Sequence, residues 1–371
     1  MSKIFEPIKI GKMEIKNRIS AAPTVVAMSD ETGYVTQRLL DVYEERARGG
    51  AGLVVVEASW VRQDGRMFSR MVNISQDYAR VGLSELVGVI HQHGAKAAIQ
   101  IMHGGRQAMA SGMQPVAPSD LNPWMGVTPR ALSTQECEEL ADCFAAAALR
   151  AKEAGFDAVM YHGTHGFIIQ QFMSPYTNNR TDKYADRMAW TTEMIRKTRE
   201  QVGEDFPLIF RGTGDEFLGD KGITQEMFVQ EIVPGLIQAG IDSIDVSAGC
   251  FETFENIVQP LYFPRAFLVP LAEAAKEVSN VPVTGVGRIN DPRLAEKLIE
   301  DGKMDMINLC RALIADPHFP RKMMEGRHSE IRKCIACCAC MPLGDRVALC
   351  AVNPNFGREK AYQIYPALTL R

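Results

Sequence analysis

Short apolar runs alternate with longer amphipathic stretches along most of this chain. The apolar runs are Ile19–Pro23, Leu53–Ala58, Ala95–Met102, Ala158–His162, Pro207–Gly212, Ser243–Ser247, Val281–Gly287 and Met306–Arg311. Such short, near-continuous runs suit strands buried on both faces of a parallel sheet. Between them, apolar residues recur at helical spacing over 36–49, 77–92, 134–154, 189–202, 224–239, 264–278 and 292–301. Gly49-Gly50, Gly94, Gly155, Gly203, Gly240 and Gly302 stand where helices must stop. Eight strands with a helix after nearly every one predict an α/β fold, the (β/α)8 TIM barrel. A doubly wound sheet is the alternative, but no G-x-G-x-x-G follows the first strand. Residues 5–20 alternate apolar and polar around Gly11-Lys12, predicting an N-terminal β-hairpin.

The rhythm breaks after Asp316-Pro317. We therefore divide the chain into a barrel over 1–329, a cysteine-rich segment over 330–356 and a connector over 357–371. Composition agrees with a large folded core: of 371 residues, 46% are apolar and 23% charged. The net charge of −4 gives no basic field for nucleic acid or an anionic membrane. No run of membrane-spanning length is present, and MSKIFEPIKIG lacks the layout of a secretory signal. A cytoplasmic location is the expectation, with homo-oligomerisation open.

Polar residues gather at the C-terminal ends of the predicted strands, where a barrel keeps its chemistry. They are Glu57, Gln100 to His103, His162, Arg211 and Gly287-Arg288. The Gln100 amide can pair with the edge of a heterocycle, although a buried glutamine at an ordinary turn reads the same way. His162 and His165 can bind metal, move protons or donate two hydrogen bonds to one substrate oxygen. No third ligand of suitable spacing stands near them, which favours the last two roles. Arg211 can stabilise negative charge on a cofactor ring, or simply pair with Asp215 or Glu216. Gly287-Arg288 and Cys310-Arg311 follow strands seven and eight, the barrel's usual phosphate cradle.

Five of nine cysteines fall within Cys334-Ile-Ala-Cys337-Cys338-Ala-Cys340 and the later Cys350. A C-x2-C-x2-C run with a distant fourth cysteine fits a four-iron cluster. Structural zinc usually takes two separated pairs, and the second pair is missing. Zinc or incidental thiols remain the alternatives, and Cys338 is the odd residue of the set.

Taken together, these pieces resemble the old yellow enzyme family of FMN-dependent barrels. The nearer resemblance is to its iron–sulfur branch, with the 2,4-dienoyl-CoA, 2-enoate and bile-acid enoate reductases and trimethylamine dehydrogenase. It rests on KNRISAAPT (16–24), YVTQRLLDVYEERARGGAGLVVVEAS (34–59), QIMHGGRQ (100–107), HGTHGFIIQQFMSPYTNNRTDKYADR (162–187), VTGVGRINDP (283–292), LCRALIADP (309–317) and the cysteine run. The resemblance implies that Ala22, Pro23, Thr24, Ala58, Gln100 and Arg211 hold the isoalloxazine of FMN. It assigns the FMN phosphate to Gly287, Arg288, Cys310 and Arg311, although the family usually has glycine where Cys310 stands. His162 and His165 match the pair that grips the substrate oxygen. Cys334, Cys337, Cys340 and Cys350 match the ligands of a 4Fe-4S cluster.

Two departures stand out. Related ene-reductases commonly carry a proton-donating tyrosine where this chain has Phe167, and the family's frequent glutamate in strand four is Met160. Replacement donors to consider are Tyr176, Tyr34 and Cys250. The branch also continues into an FAD- and NAD(P)H-binding module that this sequence does not contain, so a separate or missing reductase module is the expected partner. The expected activity is reduction of an activated C=C bond in a small unsaturated substrate, with electrons arriving through the cluster. An amine dehydrogenase or demethylase, and a non-catalytic flavin electron-transfer subunit, are the alternatives.

Overall fold

Eight parallel strands close on themselves in chain order: β1 (Ile19–Ala21), β2 (Leu53–Trp60), β3 (Lys96–Met102), β4 (Ala158–Gly163), β5 (Leu208–Thr213), β6 (Ser243–Ser247), β7 (Val283–Gly285) and β8 (Met306–Leu309). Closure is made by β8 pairing with β1, Ile307 opposite Ile19 and Leu309 opposite Ala21. The structure, a computed structural model, describes residues 2–123, 125–341 and 346–361. The greater part of the expected connector, 362–371, lies outside the described residues. Among the described residues, no helix is long and apolar enough to cross a membrane.

Side-chain alternation sorts each strand into two faces. Val54, Val56, Ile99, Val159, Tyr161 and Phe210 join the main core under the helices. Leu53, Val55, Ala98, Ala158, Met160, Ile209 and Met306 form a second cluster inside the barrel, with Ile10, Met13 and Ile15. Those last three belong to the hairpin Ile8–Ile10/Met13–Ile15, which plugs the N-terminal end of the barrel. A two-stranded hairpin is marginal alone. Burying each large apolar side chain contributes roughly 1.5–3 kcal/mol, enough to pin this one in place. The plug leaves only the opposite, C-terminal end for a ligand.

The helices follow the predicted spans closely. α1 (Gln37–Arg48) is capped by Thr36, and α2 is Ala79–His91. α3 (Thr134–Glu153) starts at a capping box of Ser133 and Glu136, and α4 is Ala189–Val202. The 224–239 stretch is not one helix. A π segment, Phe228–Ile232, interrupts it just before Pro234, whose ring nitrogen has no hydrogen to give the helical ladder. The expected 264–278 helix begins only at Val269, where Pro270 occupies the first turn. A two-residue parallel pair, Val116–Ala117 with Arg130–Ala131, lies between β3 and α3 and was too short to leave a sequence period.

A bulge in β2 changes one expectation. The register of β2 on β3 shifts between Val56 and Ser59, and the shift turns Ala58 inward and Glu57 outward. Glu57 therefore does not join the rim. Its fully buried carboxyl accepts the Val26 N–H at 3.1 Å and the hydroxyl of Tyr43, on α1, at 3.5 Å.

The cysteine-bearing segment is packed onto the barrel. Ile331, Cys340, Ala348 and Phe356 belong to the main core. Ala348 N–H donates to Val26 O at 3.0 Å, Asn353 Nδ2 to Ile314 O at 2.9 Å and Arg38 Nε to Gly357 O at 2.6 Å.

Candidate functional site

Above the apolar plug, the same alternation delivers a layer of polar side chains. Gln100, His162, Arg211 and Asn308 each stand two residues beyond an inward apolar residue of their strand. Strand register sets them side by side: Gln100 is opposite Met160, His162 opposite Arg211, and Arg211 opposite Asp245. A cavity of about 510 Å3 opens on this layer. Ala22, Pro23, Thr24, Ala58, Gln100, Arg211, Gly287, Arg288, Cys310 and Arg311 all line it, together with His162, His165 and Phe167. Exposed Met109 and Met125 mark its mouth.

Arg211 pairs with neither Asp215 nor Glu216. Its Nη1 donates to Asp245 Oδ2 at 2.8 Å, and Asn308 Nδ2 donates to the same oxygen at 2.6 Å. Burial raises the Asp245 carboxyl above its ordinary value despite these partners. Gln100 Nε2 has only a weak contact, 3.4 Å from Met160 Sδ, so its amide is nearly unspent. Thr24 Oγ1 lies 2.9 Å from Cys310 Sγ, tying the loop after β1 to the end of β8.

The two histidine rings meet edge to face, with centroids 5.1 Å apart. Burial, and then the positive charge of Arg211, holds His162 well below the usual imidazole range. His165 is lowered likewise by burial, then by His162 and Arg211. Both rings are therefore neutral at pH 7, each with one N–H to donate. His165 Nε2 is 2.9 Å from Ser247 Oγ. His162 Nδ1 is buried and has no hydrogen-bond partner. The Phe167 ring packs edge-on against His162 at 4.8 Å and against Phe251 at 5.8 Å.

The opposite end of the cavity is built for an anion. Gly287 has φ +121°, and a Cβ there would sit 2.9 Å from the Leu268 nitrogen, so only glycine fits. Beside it, Arg288 Nη1 donates to Leu261 O at 3.0 Å and Arg311 Nη1 to Gln259 O at 2.7 Å. Neither guanidinium has a carboxylate partner among the described residues. Burial and then the neighbouring Arg311 and Arg265 lower the Arg288 pKa.

Several residues escaped the sequence reading. Ser247 lines the cavity and orients His165; its signal was the polar period of Ser243, Asp245 and Ser247 within an otherwise apolar strand. Asn290 also lines the cavity, with its Nδ2 donating to Cys334 O at 2.8 Å. His103, grouped with the rim from sequence, does not line the cavity. It is buried, with Nε2 2.9 Å from Asp64 Oδ1 and Nδ1 accepting the Gly105 N–H at 3.0 Å, and so braces a loop. None of the suggested proton donors lines the cavity either. Tyr176 leans on Arg106, Cys250 is buried against Thr253, and Tyr34 packs beside Gly82.

All nine cysteines are free thiols. Cys334, Cys337, Cys338, Cys340 and Cys350 line one small cavity with Arg311 and Ile314. Among the described residues, no three His, Cys, Asp or Glu side chains stand in a metal-binding arrangement. The donor set nonetheless suits a soft metal: burial raises Cys334 and pushes Cys340 up to about 12, so a thiolate there calls for a compensating cation. Cys334 and Cys340 also line the large cavity and so form the wall between the two.

The profile of the NADH:flavin oxidoreductase / NADH oxidase family matches residues 3–330, and the chain belongs to that family. Its particular relatives narrow the comparison. An NADH oxidase of Thermoanaerobacter brockii is 42% identical over 374 residues, covering 97% of this chain and 57% of that protein. A cinnamate reductase of Clostridium sporogenes is 33% identical over 396 residues, covering 98% of this chain and 59% of that protein. Among solved structures, 2-naphthoyl-CoA reductase with 2-naphthoyl-CoA superposes with a TM-score of 0.93 at 30% identity, covering 99% of this chain and 59% of that one. The chain thus spans somewhat over half the length of these curated relatives.

Proposed function

We propose that this chain is the flavin-bearing barrel of an ene-reductase, which adds a hydride and a proton across a C=C bond conjugated to a carbonyl or acyl group. One observation carries the reading: His162 is neutral, set in the cavity wall beside His165, and its buried Nδ1 is unspent. Two neutral imidazoles side by side can donate to one carbonyl oxygen and stabilise the negative charge that gathers there during hydride addition. Arg211, ion-paired with Asp245, stands beside His162 on the neighbouring strand.

The cavity suits FMN. The unpaired Arg288 and Arg311, with Gly287 and the Cys310 backbone, would hold its phosphate. Ala22, Pro23, Thr24, Ala58, Gln100 and Arg211 would surround its ring system, the free Gln100 amide meeting a heterocycle edge. FMN supplies the hydride chemistry, and the protein's share is orientation and charge. Cys334, Cys337, Cys340 and Cys350 would hold a 4Fe-4S cluster suited to one-electron transfer. The greater length of the relatives supports a further FAD- and NAD(P)H-binding module, or a separate reductase, as electron source.

Phe167 has no proton to give, and the cavity opens past Met109 and Met125 to solvent. Water therefore protonates the α-carbon. The test is anaerobic: protein loaded with FMN is reduced with dithionite, then mixed with enones, enoate esters and enoyl thioesters in stopped flow. Flavin reoxidation with formation of the saturated product is the expected result. Reduced flavin that no unsaturated acceptor oxidises would overturn the proposal.

A further inference from the structure

His165 sits in a backbone conformation that costs free energy. Its φ is +64°, in the left-handed region that a residue with a Cβ seldom adopts, and Gly166 follows with φ +77°. Two successive left-handed residues aim the His165 ring back over the cavity. Something must hold them there.

The holding groups are visible one layer below. Gly166 N–H donates to Gln170 Oε1 at 2.7 Å, and Gly166 O accepts from Gln171 Nε2 at 2.6 Å. Gln171 is itself tied to Gln107 Oε1 at 2.8 Å, on the loop after β3. An amide side chain reads the same density of atoms either way round, so its orientation needs a reason. Glu216, on the loop after β5, provides it. Burial raises its carboxyl above the ordinary value, but the Ser174 hydroxyl and the Ile223 N–H on one oxygen and the Gln170 amide on the other make both oxygens acceptors. The Gln170 amide therefore presents its NH2 to Glu216 Oε1, which leaves Oε1 of Gln170 for Gly166 and for Thr213 Oγ1 at 2.8 Å. The other Glu216 oxygen takes Ser174 Oγ at 2.7 Å and the Ile223 N–H at 2.6 Å. Gln170, Gln171 and Glu216 are all buried, so these bonds do not exchange with water.

We propose that Glu216 and Gln170 are positioning residues for His165: the carboxylate fixes the polarity of the Gln170 amide, and that polarity holds the Gly166 peptide and the left-handed turn. This rests on the reading of His165 as a carbonyl-gripping group. The clamp makes a sharp demand, because it depends on donor and acceptor order rather than on shape. Glu216→Gln keeps the volume but sets two NH2 groups face to face, which forces Gln170 to flip and turns its NH2 toward the Gly166 N–H. Exchanging the pair, Glu216→Gln with Gln170→Glu, restores the order. Gln at 216 accepts from Ser174 and Ile223 through its oxygen and donates to the carboxylate at 170, whose second oxygen takes Gly166.

The experiment compares the parent, both single variants and the exchanged pair, each loaded with FMN. Binding of a saturated ketone, 4-phenylbutan-2-one, is measured by calorimetry, and flavin reoxidation by the matching enone is followed in stopped flow. We expect Glu216→Gln to keep its flavin, bind the ketone about tenfold more weakly and lose about a hundredfold in kcat/KM. The exchanged pair should return both to within about threefold of the parent, a coupling that independent sites do not show. The NMR signal of isotope-labelled His165 gives a readout free of substrate: it should move in Glu216→Gln and return in the exchanged pair. A parent that neither binds the ketone nor reduces the enone would sink the ene-reductase reading, while the His165 signal would still decide the clamp. Unchanged His165 signal and binding in Glu216→Gln would overturn the proposal. So would an exchanged pair no better than the single variants. Loss of FMN from all three variants would also end it, since the network would then be general core structure.

Discussion

His165 Nε2 lies 2.9 Å from Ser247 Oγ, and the same oxygen is 3.4 Å from Arg211 Nη2. A guanidinium can only donate, so Ser247 accepts from Arg211 and still has its hydroxyl proton and a second lone pair with which to orient the His165 ring. Ser247→Ala should therefore leave FMN content unchanged while lowering the rate of enone reduction about tenfold, as one member of an oriented donor set is loosened. Stopped-flow reoxidation of the variant checks it, and a parent-like rate would show that Ser247 has no part in orienting the ring.

The neutral histidines carry a signature in stability. An unfolded histidine takes up a proton below about pH 6.5, whereas His162 and His165 are held well below that in the folded chain. The unfolded state then binds more protons, so this contribution is complete above about pH 6.5 and is lost as pH falls. His162→Gln should flatten the loss of urea midpoint between about pH 7 and pH 5. An identical slope in parent and variant would mean that His162 titrates normally.

Glu57 works in the opposite direction. Burial raises its carboxyl to about 8, against the Val26 N–H, Arg46 and Tyr43, so the folded chain keeps a proton that the unfolded chain has lost. Stability from this group is full below its ordinary value of 4.5 and disappears as pH climbs through about 8. Glu57→Gln preserves an acceptor for Val26 and cannot ionise. Its urea midpoint should hold steady from about pH 6 to pH 9, where the parent's declines.

Phe167 separates polarisation from proton delivery. Loss of either histidine side chain, by His162→Ala or His165→Ala, should slow enone reduction about 10²–10³-fold. Phe167→Tyr should keep or improve the rate, because a positioned acid contributes about 10²–10⁴-fold where protonation limits turnover. The ring also packs on His162 and Phe251, so abolished turnover with FMN retained would mark it as a wall fitted to substrate.

Cys338 lines the small cavity with the other four cysteines, but its sulfur also touches the barrel. Cys338 has φ +59°, and its Sγ lies 3.8 Å from Val258 O and 3.7 Å from Arg311 Nη1, both barrel groups. Anaerobic protein is expected to hold about four irons and four sulfides per chain. Cys337→Ser should lose them, and Cys338→Ser should keep them. Stoichiometric zinc without sulfide would replace the cluster with another metal.

How far this was legible from sequence depended on the kind of signal. Strands such as Leu53–Trp60 and Lys96–Met102 announced themselves because burial on both faces makes them apolar along most of their length. Gln100, His162, Arg211 and Gly287-Arg288 were legible because strand ends place them, whereas Ala22, Pro23, Thr24 and Ala58 came only with the family resemblance. Partnerships between strands were not: Arg211 and Asp245 lie 34 residues apart, and only register makes them neighbours. Nor can a sequence show the register slip in β2, which moved Glu57 from the rim to the flank of α1 without altering any apolar run. Tyr176, Tyr34 and Cys250 fall outside the cavity lining for a related reason, since loop residues have no period to aim them.

The Val26 peptide joins the barrel wall to the cysteine tail. Its N–H is held by a carboxyl of the barrel wall, Glu57, and its carbonyl by Ala348, which lies two residues before Cys350. The cysteine tail therefore completes the hydrogen bonding of a loop that lines the cavity. Removing the tail from this chain would leave that carbonyl without its partner and uncover the barrel surface that Ile331, Ala348 and Phe356 pack against. In this chain barrel and tail share one core, and a chimaera that joins this barrel to a foreign tail needs a backbone N–H at the place of Ala348, whatever the side chain, to keep the cavity loop paired.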